Sequence, residues 1–369
     1  MTKELPLPPV FQRWRARLRR YHYLWPIFSF ASGIFSFFLI NRQQSLGAYL
    51  ALALLLTWSV LLAENLWSWL HRQRQRSRLP RIVASFCAQM THQETLFFCL
   101  PFFLVTTVWD SSQALFTSLL LIAALVSIVD PLYFRLADRL RWLYFAFHGL
   151  CAFVLMLVLL PLLMHLTTGE SILLASGAIV IVSLPSLITL MQPHGVMGWL
   201  AMFGLAGLLS TGAWLGRDAV PPATLWIAGH ALSPEFDAST RQPLGSMPLV
   251  NGTLQQRGLY VYTSIHAPRG LNERIFHVWR HDGRIVDRVP LTIRGGREQG
   301  YRAWSHKQNF PDDSRGKWRI DIVTDTGQRL GVIRFSIADD ARTASLADGR
   351  IKTPPGIGWL HLATEDNSP

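Results

Sequence analysis

Apolar runs fill the first part of the chain, and alternation of apolar with polar residues fills the last. From about Tyr23 to Leu215 one apolar run follows another. A helix needs about 20 apolar residues to cross the hydrocarbon of a bilayer. Seven segments approach this: roughly 23–40, 45–64, 89–109, 114–130, 142–165, 172–191 and 195–215. The third is cleanly apolar only from Leu96 to Trp109, so it must extend back through Glu94 and His92. Just before it, Ile82, Val83, Phe86 and Met90 fall at helical spacing and predict an interfacial helix. Pro101, Pro161 and Pro185 interrupt three of the runs, while Gly204, Gly207 and Gly212 suit close helix packing in the last.

From Gly258 the period becomes two. Leu259, Val261, Thr263 and Ile265 alternate with Tyr260, Tyr262, Ser264 and His266. Residues 275–280 and 285–293 flank Asp282-Gly283, a dipeptide that tolerates the positive φ of a tight hairpin turn. Tyr301–Lys307 is a further strand, and 317–324 and 329–337 form a second hairpin around Asp325-Thr326-Gly327. The alternation predicts a core of Leu259, Val261, Ile265, Val289, Leu291, Ile293, Trp318, Ile320, Ile322, Ile333, Phe335 and Ile337. The predicted fold is an α-helical membrane bundle of about seven transmembrane helices followed by an all-β, immunoglobulin-like sandwich. The predicted boundaries are a basic arm at 1–22, the helical region at 23–215, a Pro/Gly-rich connector at 216–253, the sandwich at 254–340 and a tail at 341–369. The connector shows at most one short strand, at 224–228.

Composition agrees with the membrane class: half of the residues are hydrophobic and the mean hydropathy is +0.23. The net charge of +12 is unevenly placed, since 15 of the 35 basic residues but only 7 of the 23 acidic ones precede Gly216. The basic residues there gather in the arm (Lys3 and five arginines), after the second run (Arg72, Arg74, Arg76, Arg78, Arg81) and after the fourth (Arg135, Arg139, Arg141). The alternate loops hold only Arg42. By the positive-inside rule the N-terminus is cytoplasmic, and seven crossings put the sandwich outside. The first run follows a basic region, as a signal peptide does, but exits without a small-residue cleavage pattern and reads as an uncleaved span. The basic excess beside apolar runs points to the lipid bilayer as partner and not to nucleic acid.

Candidate chemistry is sparse. Glu94 and His148 sit about six residues into parallel runs, at one depth, and could form an intramembrane acid–imidazole pair. The alternative is that Glu94 reaches the interface while His148 bonds a backbone carbonyl. In the sandwich, Tyr260, Tyr262, Arg302, Trp304, His306, Arg319 and Asp321 all lie opposite the core positions and form a candidate binding face, the rings suited to a sugar or a protein partner. The alternative packs Trp304 in the core and the tyrosines under the connector. His277, Trp279 and His281 share a strand face, but no third metal ligand accompanies them. Cys87, Cys99 and Cys151 lie in or beside apolar runs, so the sandwich has no disulfide framework. No catalytic or cofactor-binding motif is present, and neither a metal site nor a cofactor is expected.

The runs Gly258-Leu259-Tyr260-Val261-Tyr262, His277-Val278-Trp279, Tyr301-Arg302-Ala303-Trp304-Ser305-His306-Lys307 and Gly316-Lys317-Trp318-Arg319 resemble the bacterial family called domain of unknown function 2914. The resemblance covers roughly 250–338, with a general likeness of the helical part to the uncharacterised membrane region that accompanies this domain. It implies a bacterial envelope protein and supplies no activity or ligand. The expected function is therefore a non-catalytic, multi-pass inner-membrane protein whose extracytoplasmic sandwich binds an envelope glycan or protein. The alternative is a small transporter or channel with the helices as its working part.

Overall fold

A computed structural model describes residues 81–353, Glu298 excepted, together with the isolated helical positions Ile27, Ala31, Phe35 and Tyr49. The helical part comprises α1 (Arg81–Thr106), α2 (Gln113–Ile128), α3 (Asp130–Arg139), α4 (Arg141–Met164), α5 (Thr168–Met191) and α6 (Gly195–Leu215). Helix α1 packs on α2 and α4, and α5 packs between α4 and α6. Leu96, Phe103, Leu120, Cys151, Val154, Val158 and Ile172 centre their core. Helix α5 starts with a reciprocal cap in which Thr167 and Glu170 each satisfy the other's backbone N–H.

This arrangement corrects the expected seven-span bundle. Among the described residues, two helices are long and apolar enough to cross a membrane, Trp142–Met164 and Gly195–Ala219. A third arises only if the pair Gln113–Ile128 and Asp130–Ala137, bent by 99°, is one span. The fourth run breaks because Val129 is extended and Pro131, which lacks an N–H, opens a new helix in its first turn. The third run merges with the expected interfacial helix into α1, whose first half is loaded with polar side chains. Within α5 the apolar stretch among the described residues is Thr168–Ile181. The runs at 23–40 and 45–64 lie outside the described residues, apart from the isolated positions above.

The β domain has two facing sheets. One orders β1 (Trp226–Ser233), β5 (Leu259–His266) and β8 (Tyr301–Lys307) as β1-β5-β8. The other orders β6 (Asn272–His281), β7 (Arg284–Arg294), β9 (Gly316–Thr324) and β10 (Arg329–Ile337) as β10-β9-β6-β7. All these pairings are antiparallel. The fourth of the seven strands pairs with the third, whereas the immunoglobulin constant arrangement places it in the sheet of the first. Asp282 and Gly283 take φ of 44° and 85°, as the hairpin turn requires. The expected core residues all pack into one cluster, with Val289, Leu291 and Phe335 partly buried.

The domain starts earlier than the sequence suggests. Residues 226–233 form an edge strand of the first sheet, not part of a connector. They hold an alternating burial pattern on Ala, Gly, His and Ser as much as on Ile and Leu, so hydropathy alone underreports them. The same stretch supplies the hairpin β2 (Glu235–Asp237) and β3 (Gln242–Leu244), then β4 (Ser246–Pro248) and the short helix α7 (Asn251–Arg257). The expected tail contributes β11 (Leu346–Asp348), paired with β4, and Lys352 bridges to His230.

Candidate functional site

The structure divides the seven candidate face residues between two surfaces. Five gather on the outer side of the first sheet, because Tyr260 stands opposite His306, Tyr262 opposite Trp304, and Ser264 opposite Arg302 across β5 and β8. The rings form one stack. Tyr260 and His306 lie parallel at 3.8 Å, Phe236 of the β2–β3 hairpin stacks on Trp304 at 4.4 Å and reaches Tyr260 at 5.8 Å, and Arg241 covers Trp304. Arg302 Nη1 donates to the Thr240 carbonyl at 2.9 Å. The hairpin therefore rests on this face through an aromatic residue that the sequence did not single out. Tyr262 is buried beneath it, while Tyr260, Arg302, Trp304 and His306 are half-exposed.

Arg319 and Asp321 lie on the outer side of the other sheet. Strand β9 pairs only with β6 and β10, and its inward positions are Trp318, Ile320 and Ile322. Asp321 is 2% exposed and meets Arg280 at 2.8 Å, Arg319 at 2.9 Å and Arg329 at 3.6 Å.

In the helices, His148 bonds His92 at 2.8 Å (Nδ1 to Nε2), and the other nitrogen of His92 bonds the Tyr133 hydroxyl at 2.8 Å. Gln89 donates to Asp130 at 2.8 Å and to the Ser127 carbonyl. Glu94, two residues beyond His92, is partly exposed. His92 supplies the missing link, since it joins α1, α3 and α4, and the position of Tyr133 depends on the bend after α2. Farther along the same helices the core turns apolar, with Leu96, Phe103, Val154 and Val158 fully or almost fully buried.

The β domain is seated on the helix ends. Arg334 pairs with Asp110, and Gln113 Nε2 donates to the Arg329 carbonyl. The backbone N–H and hydroxyl of Thr168 donate to Glu273 at 2.7 and 2.9 Å. Arg217 donates to the Thr326 carbonyl and Gln328 to the Val220 carbonyl. These contacts use the α1–α2 loop, the start of α5 and the segment after α6, all at one end of the helices. Arg81, Arg135, Arg139 and Arg141 belong to the opposite end, since they begin α1 and α4 or occupy α3. Trp142 and Trp199 mark that basic end; Trp109 and Trp214 mark the end under the β domain. Burial pushes the Glu273 carboxyl up to about 7, against the two hydrogen bonds from Thr168, and nearby Glu170 and Asp325 add to the rise.

Of the family-like motif residues, His277, Trp279, Ser305, Lys307 and Trp318 are buried. His277 crosses the sandwich to bond Thr263 (3.1 Å) and Ser305 (2.8 Å) on the opposite sheet, and burial pulls its imidazole down to about 3. Lys307 pairs with Asp287 at 3.1 Å beside the rings of Trp279 and Phe310. Although Ser305 and His277 are hydrogen-bonded, both are buried in the core, which bars a substrate from them.

Residues 5–261 match a family of unknown function, DUF5924, and residues 272–337 match a protein family of unknown function, DUF2914. No curated protein and no solved structure matches the chain.

Proposed function

Because the chain belongs to the family of unknown function DUF5924, which brings no activity with it, we propose its function from geometry: a membrane-anchored, non-catalytic recognition protein. The helices hold the β domain at the outer surface of a bacterial inner membrane, where the domain binds an envelope glycan or protein. The observation that carries this reading is the seating of the β domain on the helix ends opposite the arginine-rich end. Arginine is retained on the cytoplasmic side, so this polarity supports an outward-facing domain whatever the number of crossings. The two tryptophan levels fit the two headgroup regions. The half-exposed stack of His306, Tyr260, Phe236 and Trp304, flanked by Arg241 and Arg302, supplies apolar ring surface with donors at its border, the chemistry that sugar rings and protein anchors use. The apolar core beyond His148 favours anchorage over transport.

A photoreactive amino acid placed at Tyr260 or Trp304 in living cells tests the reading. Both positions should capture the same glycan or protein, identified by mass spectrometry, and a control at exposed Ile285 on β7 should not. Adducts no different from the control would remove the recognition role.

A further inference from the structure

The outer face of the four-stranded sheet carries more positive charge than its carboxylates neutralise. Arg334, Arg319 and Arg280 stand side by side on β10, β9 and β6. Arg329 joins them through Asp321. Among the described residues, these four guanidinium groups pair with only two carboxylates, Asp321 and Asp110. The four arginine side chains nevertheless remain 27–57% exposed. A buried aspartate holding three arginines together fixes a planar array of donors, and forked guanidinium donors match the oxygens of a phosphate.

Position selects the source of the phosphate. The β10 edge rests on the α1–α2 loop through Arg334–Asp110 and Gln113–Arg329, beside the exposed Trp109. Trp214, at the same end of the helices, closes α6, one of the two helices apolar enough to cross, and a tryptophan in that position sits at headgroup depth. We propose that this arginine face binds the phosphate of an anionic phospholipid in the leaflet beneath the β domain. The inference rests on the placement of the domain at the membrane surface argued above, but uses a different face from the aromatic stack. Lipid bound here tethers the open edge of the domain to the bilayer, in addition to the protein contacts at the helix ends.

Native mass spectrometry of the full chain, in micelles doped with phosphatidylglycerol or phosphatidylcholine, measures the lipid retained per protein. Phosphatidylglycerol should be retained preferentially, and Arg280→Gln with Arg319→Gln should weaken its retention by about fivefold per arginine. Arg334→Gln leaves all three partners of Asp321 in place but gives up the Asp110 pair; it should give the single fivefold step, whereas Asp110→Asn, which breaks the same pair and keeps the arginine, should not. Inorganic phosphate should not displace the lipid. Equal retention of the two lipids, no change in Arg334→Gln, displacement by inorganic phosphate, or capture of an anionic polysaccharide in place of lipid would each overturn the proposal. Alkaline carbonate treatment of the membranes separates the two levels. A chain that is extracted sinks the membrane placement itself, whereas an embedded chain without phosphatidylglycerol preference sinks the lipid site alone.

Discussion

Glu273 shows how a single side chain couples the two parts of the molecule. Its carboxyl is buried against the first turn of α5, with Glu170 and Asp325 nearby. The folded value of about 7 lies above the ordinary 4.5, so the neutral form is favoured in the folded state. The associated stability is fully present below about pH 4.5 and is lost as pH rises through 7; it amounts to at most about 3 kcal/mol. His277 works in the other sense, because a buried neutral imidazole loses stability as pH falls below 6.5. A comparison of wild type with Glu273→Gln isolates the first effect. The melting temperature of the wild type should fall relative to the variant between pH 5 and pH 8; parallel profiles would show that the carboxyl does not titrate there. Neither role was legible in the sequence. Glu273 looks like a surface residue at a strand start, and its burial comes from a helix over 100 positions away. His277 was legible as a strand residue beside Trp279, but not as the bolt between two sheets, since the partners Thr263 and Ser305 come from other strands.

Elements with strong alternation and a defined turn were readable almost to the residue. Strand β8 matches its expected bounds, and both hairpins form around the glycine-bearing turns. Gly283 has open space around a built side chain, so its φ of 85° is the whole reason for glycine. Gly283→Ala should therefore cost about 1 kcal/mol, from backbone strain alone, checked by thermal unfolding; an unchanged midpoint would show that the turn relaxes. Elements with mixed signals were not readable. Strand β1 hides among prolines and glycines because its buried positions include Ala231 and Ser233. Helix α3 hides in what looks like a charged loop, and only the Pro131 break frees it to turn Tyr133 toward His92. The candidate face was half legible for the same reason. Alternation correctly set the seven residues opposite the core, but alternation within a strand does not say which sheet the strand joins.

For the whole molecule, the helical part and the β domain share more than a linker. Residues 216–225 are all that separate α6 from β1, and several hydrogen bonds fix the domain on the helix ends. The β fold accordingly extends from β1 to β11. A fragment of 226–353 should unfold cooperatively on heating, followed by circular dichroism, whereas 254–340 lacks the partner of β5 on one edge and should not. A cooperative transition in the shorter piece would show that β1 is dispensable.

Strand β5 has a further consequence. The first family ends within it and the second begins after it, yet β5 hydrogen-bonds β1 on one side and β8 on the other. The boundary between the two family matches is thus a seam through a shared interior. A cut there would leave each piece with an unfinished sheet, since β5 would be parted from β8 or from β1.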